Sequence, residues 1–396
     1  MGFVSMLIAF SLVVLLLMAL CAFLFLLVRK DITPRIALEK LYNRLARRPP
    51  ALLPNFHDAP YRRLPGKTQQ HHPTILNIQT SEGTGQACHP DVAYAPEGFG
   101  AERWRYWMAC TPLAYCNFVF ENPEIFASHD GITWIIPEGA RNPIIPSPKG
   151  VWDHNSDPDL LFVGQELWLY YRETRRSGSP EHRIFLVTSE DGVQWTSPRE
   201  VIVETGDPAL LMCPAVVQQD SAFHMFTVGG ADTGLQLARR ESVDGLTWSQ
   251  PVPCSVGGLP HDRQVWHLDV IREADRLSAI FVSAKSLSAH RLHYGVSRDA
   301  GLTWQIDGFL LDPAYEFEEG FLYRTTLLKR PSERDAYDIW YSAANRRDMF
   351  SLAYLRMIRE GDKLRPAPPA VPGRETHHYL PLSGGSREYS VVDSTD

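Results

Sequence analysis

Four near copies of one septet decide how this chain is read: "SHDGITW" at 128–134, "SEDGVQW" at 189–195, "SVDGLTW" at 242–248 and "SRDAGLTW" at 297–304. They start 61, 53 and 55 residues apart. A period of that size marks repeated structural units and outranks any local motif in setting the fold. Each septet is preceded by the same order of apolar segments, including an aromatic second one ("RYWMAC", "LWLYYRE", "FHMFTV", "LSAIFVSA") and a third ("EIFAS", "IFLVTS", "LQLARRES", "LHYGVS"). Four strands per unit, bounded by turn residues, describe a β-propeller blade. The septet falls at the turn between strands three and four, where Ser and Asp bond the turn backbone, Gly permits the turn and Trp packs between sheets.

After the fourth septet, "EGFLYRTTLLKR", "YDIWYSAA" and "MFSLAYLRM" provide three strands of a fifth unit that has no septet. Its fourth strand is expected from "PTILNIQT", 73–80, so that strands from both ends of the domain close the ring and leave no exposed edge. The fold expected is therefore all-β: a five-bladed propeller over 73–357 with an N-terminal transmembrane helix.

Outside the repeats, Phe3 to Val28 is an apolar run broken only by Ser5, Ser11 and Cys21. Roughly 20 apolar residues span a bilayer, and no basic start or small-residue cleavage site marks a signal peptide. Residues 1–30 thus read as an uncleaved single-pass anchor, 31–72 as a basic, proline-rich juxtamembrane linker and 358–396 as a loosely ordered tail. Arg29, Lys30, Arg35, Lys40, Arg44, Arg47 and Arg48 follow the anchor and no basic side chain precedes it, which favours a cytoplasmic propeller. The net charge of −7, with no basic patch in the body, excludes a nucleic-acid footprint. Five cysteines outside the anchor form no tight framework.

The innermost strand of each propeller blade runs along the central channel, and these strands open here with "HPDV", "DPDL", "CPAV", "HLDV" and "LYRT". Strict alternation groups residues at i and i+2 on one face, pairing His89 with Asp91, Asp157 with Asp159, and His267 with Asp269. Three blades thereby aim an acid at the axis. The loops between strands two and three share that end of the ring and add Glu121, Asn122, Arg172, Glu173, Lys285 and Arg346. Glu319 and Arg324 flank the start of the fifth inner strand. Trp152, His154 and Trp266 stand before inner strands, where an indole face suits the C–H groups of a sugar ring. His89, His154 and His267 with the acids offer imidazole and carboxylate ligands, but no metal set has a characteristic spacing, so no cofactor is assigned.

Five blades with "HPD" and "DPD" opening successive inner strands resemble the arabinanase and xylosidase propellers of glycoside hydrolase family 43, and the septets resemble sialidase Asp-boxes. The resemblance covers roughly 73–357. It implies extracytoplasmic habitat, against the basic flank, and a carbohydrate substrate cleaved by two carboxyl groups. It also implies Asp91 as general base and Asp157 or Asp159 as the group that orients the sugar and tunes the acid. A Ca²⁺ ion in the channel occurs among relatives but is not readable here. The family expects a Glu opening blade three, commonly as Glu-Gly-Pro, and this chain has "LLMCPAVV" with Met212 in that place. The acid must then come from Glu121, Glu173 or Glu319, or the reaction differs. The expectation is a membrane-anchored, glycoside hydrolase-like enzyme with Asp91, Asp157, Asp159, Asp269, Glu121 and Glu319 as its acids. The alternative is a non-catalytic propeller that binds sugar or scaffolds a protein partner in an envelope-glycan complex.

Overall fold

The computed structural model describes residues 62–67, 71–148, 153–175, 181–205, 211–231, 234–285, 288–331 and 333–368, with isolated positions 11, 14 and 20. The apolar run Phe3–Val28 and the tail from 369 lie outside these, apart from those three positions. Among the described residues no helix is long and apolar enough to cross a membrane.

Five sheets follow one another along the chain, antiparallel except that Ser255–Gly257 runs parallel to Thr303–Asp307 in the fourth. Their inner strands are Ala87–Phe99, His154–Val163, Leu211–Gln219, Gln264–Arg272 and Phe321–Lys329, one per blade, in blades 1 to 5. Blade 5 is closed by Thr74–Ile75, which pairs with Tyr354 and Ala353 on strand Phe350–Glu360. The same strand also carries Lys363–Pro366, so the sheet runs past the boundary expected at residue 357. Blade 1 is leaner than expected, its fourth strand reduced to one bridge between Ala127 and Ile135.

The septets lock neighbouring blades together. In the first three, the Asp carboxylate accepts two amides beyond it: Asp130 from Ile132 and Thr133, Asp191 from Val193 and Gln194, Asp244 from Leu246 and Thr247; in the fourth, the Asp299 carboxylate accepts the Thr303 amide. The Ser hydroxyl accepts the glycine amide. The Thr247 and Leu246 amides hold the Asp244 carboxyl well below its ordinary range. Each glycine has positive φ and lies against an aromatic on the second strand of the preceding blade. Gly192 meets Trp107, Gly245 meets Trp168, Gly301 meets Phe226, and Gly131 meets Trp340 across the ring closure. A side chain there would need a left-handed backbone and the aromatic's own space. The core consists of such apolar layers between sheets, with Trp107 and Trp340 wholly buried. Cys88, Cys110, Cys116, Cys213 and Cys254 are free thiols.

Seams near the axis are held differently. Asp91 accepts the Leu160 amide of the next blade, Asp159 accepts Val216 N at 3.0 Å, Asp269 accepts Leu327 N at 2.7 Å and Thr326 accepts Val92 N at 3.3 Å. The equivalent residue of blade 3 is Ala215, which offers no acceptor.

Candidate active site

Every inner strand slips register near its start: between Cys88 and Asp91, Ser156 and Asp159, Met212 and Ala215, Val265 and His267, and Leu322 and Thr325. In three of them the slipped residue precedes a proline and is left-handed, with φ 51° at His89, 52° at Asp157 and 44° at Cys213. Such bulges re-aim side chains. Here they separate residues that simple alternation would put together, producing two rings instead of one.

The first ring is His89, Asp157 and His267, which each offer a ligand atom within 4.8 Å of the others. His89 Nε2 is 3.3 Å and His267 Nδ1 is 3.7 Å from Asp157 Oδ1. The outward nitrogens are anchored: His89 Nδ1 to Thr111 Oγ1 at 2.9 Å, His267 Nε2 to the Tyr323 hydroxyl at 2.9 Å. Arg172 Nε lies 3.0 Å from the other Asp157 oxygen. Burial lowers His89 to about 4 and takes His267 well below its usual value. Burial alone would raise Asp157, but Arg172, His89, His267 and Arg324 hold it well below the carboxylate range. Asp157 Oδ1 and His267 Nδ1 are buried with no hydrogen-bond partner.

The second ring is Asp91, Asp159 and Asp269, also mutually within 4.8 Å. These are the seam acids whose oxygens accept backbone amides. Burial, with Asp269 beside it, raises Asp91 to about 7; burial and Asp91 raise Asp159; burial raises Asp269. Arg324, wholly buried, is the cation that opposes both rings. Its Nη2 reaches only the Pro214 carbonyl, at 3.5 Å.

Glu121 approaches the first ring from blade 1. Its carboxylate is 3.6 Å from His154 Nε2, and it acts electrostatically on Tyr323, the partner of His267. The segment carrying it is tightly determined. Tyr115 and Cys116 are consecutive left-handed residues, an arrangement held only where surroundings over-determine the backbone. Tyr115 N is bound by the Gln86 side chain. Beyond Glu121, Asn122 is clamped between Ser147 and Asn155, at 2.9 and 3.0 Å.

Most of the remaining residues singled out from sequence pair away from the two rings. Glu319 pairs with Arg346 at 2.8 Å, Glu173 with Arg175, and Lys285 with Asp262 at 2.7 Å. Trp266 donates its indole N–H to Tyr323 at 3.2 Å. Trp152 falls outside the described residues. Met212, in the place of the expected acid, is core. Thr111 and Tyr323, which orient the two histidines, were not read from sequence. Counted from the seam residues Asp91, Asp159 and Thr326, the place held by His89 and Asp157 in other blades is taken in blade 5 by Arg324, so that pattern carried no signal for its neighbour Tyr323.

Fold and site together define a five-bladed β-propeller with an imidazole–carboxylate centre sunk at its axis. No family model matches the chain. It is 28% identical over 311 residues to the A type blood N-acetyl-α-D-galactosamine deacetylase of Flavonifractor plautii, covering 65% of this chain. The chain spans only 40% of that relative's length. The crystal structure of an N-acetylgalactosamine deacetylase from F. plautii, in complex with blood group B trisaccharide, superposes with TM-score 0.64 at 24% identity, covering 72% of this chain and 94% of that one. A GH43 subfamily 1 enzyme from Xanthomonas citri complexed with xylose gives 0.55 at 13% identity, covering 74% and 92%. A Cellvibrio cellulosa α-L-arabinanase complexed with arabinohexaose gives 0.51 at 14%, covering 71% and 95%.

Proposed function

We propose that this protein is a carbohydrate-acting hydrolase that removes the acyl group from an N-acetylated sugar, using a divalent cation held by His89, Asp157 and His267. The observation that carries the reading is the convergence of His89 Nε2, His267 Nδ1 and Asp157 Oδ1, with each imidazole's other nitrogen already bonded. Metal-binding histidines are oriented by that kind of outer partner, and two imidazoles with one carboxylate suit several divalent ions. The buried, unpartnered Asp157 Oδ1 and His267 Nδ1 fit ligation better than an apolar core. A cation there supplies Lewis acidity to an acyl carbonyl. Arg172 holds Asp157 by its other oxygen and keeps it ionised. One water molecule is the co-substrate: it adds to the acyl carbon as the C–N bond breaks, its proton passes to the departing amine by way of Glu121, with His154 beside it, and acetate and the free amine are the products.

This reading departs from two-carboxylate glycoside hydrolysis. Asp91, Asp159 and Asp269 have oxygens committed to backbone amides and face Arg324, which leaves them poorly placed to take or give a proton at a sugar. The likeness of fold to family-43 enzymes keeps a glycosidic bond as the rival target. The tether belongs to the same proposal, with Phe3–Val28 as the anchor and the septets as Asp-box turns. The deciding assay incubates the full-length protein with N-acetylated glycans and measures free acetate and new reducing ends together, with metal content determined in parallel. Acetate release lost in His89→Ala and His267→Ala, with about one bound divalent ion lost alongside, supports the proposal. Reducing ends without acetate would replace it with glycosidase action. A reporter fused after Asp396 settles the side of the membrane.

A further inference from the structure

We infer that the N-terminal tether holds the site end of the propeller against the bilayer, so that the sugar it acts on is borne on a membrane lipid; this rests on the tether and deacetylase readings above. Where the chain enters the fold is fixed by described residues. Leu64 N bonds the Ala314 carbonyl at 2.8 Å, and Glu316 N bonds the Arg62 carbonyl at 3.0 Å. Farther on, His71 Nε2 lies 2.9 Å from Glu318 Oε1, and the His71 carbonyl accepts the Tyr315 hydroxyl at 2.8 Å. Glu318 is wholly buried and also accepts the Tyr341 hydroxyl and the Ala314 amide, both at 2.7 Å. All these partners belong to the connection from Thr303–Asp307, the last strand of blade 4, to the inner strand of blade 5, or to blade 5 itself. That connection lies at the end of the ring where the inner strands begin, which is the end that carries the site. Tyr323, the partner of His267, follows Glu318 by five residues. The septets turn at the opposite end.

Thirty-three residues, 29–61, separate the apolar run from that entry. A coil of that length spans about 30 Å on average, roughly the length of one nine-residue strand. The site end is thereby kept about one strand length from the bilayer, and the septet end stands a further strand length away. Apolar contact does not choose between the two ends, because Val119 at the site end and Val243 at the septet end are both exposed, at 37% and 83%. The covalent entry does choose. Arg62, Arg63 and Lys67 are exposed along the entering segment and suit anionic lipid headgroups. A mouth held there meets lipid-borne sugars at high effective concentration, an advantage that a soluble glycan does not share.

The test reconstitutes the full-length protein in anionic vesicles whose lipid headgroups carry a quencher. A dye is attached to Val119→Cys at the site end or to Val243→Cys at the septet end, and the signal of dye-treated wild type is subtracted. Strong quenching at 119 with little at 243 supports the placement; equal quenching, or more at 243, overturns it. Acetate release is then compared for one N-acetylated saccharide, borne on a lipid of the same vesicle or supplied as a soluble glycoside. The lipid-borne form should show kcat/KM at least about tenfold higher. Lengthening 29–61 about threefold with Gly and Ser should cut that advantage about fivefold and leave soluble turnover unchanged. Equal rates on both forms overturn the lipid-borne substrate. If neither form releases acetate, the deacetylase reading fails and the substrate class falls with it, while the quenching still decides the placement.

Discussion

Replacing Asp159 separates what the second ring does for the fold from what it does for chemistry. Its Oδ2 accepts the Val216 amide at 3.0 Å across the seam between blades 2 and 3, and both residues are nearly inaccessible, at 3% and 6%. Asp159→Ala leaves that N–H buried without an acceptor, a cost of about 1–3 kcal/mol. Part of this is returned, because a carboxylate that Asp91 and burial both disfavour is removed as well. The expected net loss is about 1 kcal/mol, or roughly 2 °C in Tm for a domain of this size. Asp159→Asn keeps a carbonyl acceptor and sheds the charge, so it should equal or exceed wild type. Thermal unfolding followed by circular dichroism measures both, and acetate release measures activity. Because the first ring is intact, Asp159→Asn should keep turnover within about threefold of wild type. Equal destabilisation by Asn and Ala would show that the charge, not the acceptor, holds the seam. Loss of more than about a hundredfold in kcat with unchanged Tm would return Asp159 to the chemistry.

Three further outcomes follow from the same geometry. Thr111→Val removes the partner of His89 Nδ1 at constant shape and should weaken binding of a divalent ion about 10–100-fold, read by competition with a metal indicator; unchanged affinity refutes the ligand role of His89. Gly192→Ala would put its Cβ 2.2 Å from Trp107 on a left-handed backbone and should lower stability by more than about 2 kcal/mol; a silent substitution would mean the second septet does not lock blades 1 and 2. Glu124, wholly inaccessible, is raised by burial to about 7 despite bonds from Ser81. The folded state then holds a proton that the unfolded chain releases, so this group's contribution is fullest below about pH 4.5 and is lost as pH climbs to 7. At most about 3 kcal/mol is at stake. Glu124→Gln should flatten the dependence of Tm on pH over that window, and a parallel curve for the variant contradicts the assignment.

The ring was legible because its signals are local and repeated. Four septets set the period, and the aromatic second segments marked one strand in each unit, while the contact of each septet glycine with that aromatic came only from the structure. Blade 5, with no septet, was found from its strands, and its closure by residues near 74 was required by edge pairing. Its extension to Pro366 was not legible, because "KLRP" after a turn looks like the start of the proline-rich tail. Residues that the structure brings together near the axis had been singled out as candidates, and their grouping was misread. His89, Asp157, His267, Glu121, His154 and Arg172 were all singled out, but alternation placed His89 with Asp91 and Asp157 with Asp159. The backbone breaks alternation at those points. The mark of it was in view: "HP", "DP" and "CP" at one register of three inner strands, where a proline cannot serve a regular ladder. Thr111 and Tyr323 were beyond reach because each is defined by an imidazole tilt that only the folded bulge creates.

Thr74–Ile75 joins a strand centred some 280 residues later. A ribosome therefore emits one half of this clasp before the first four blades and its mate only after them, and those blades must wait, complete but unsealed. Over that interval the rim of the first blade and the partner it lacks are both bare to association with other nascent chains. The slow step of maturation is then the final hem, and a chain halted before residue 350 would have nineteen of its twenty-one described strands and no closed girdle to hold His89 opposite His267.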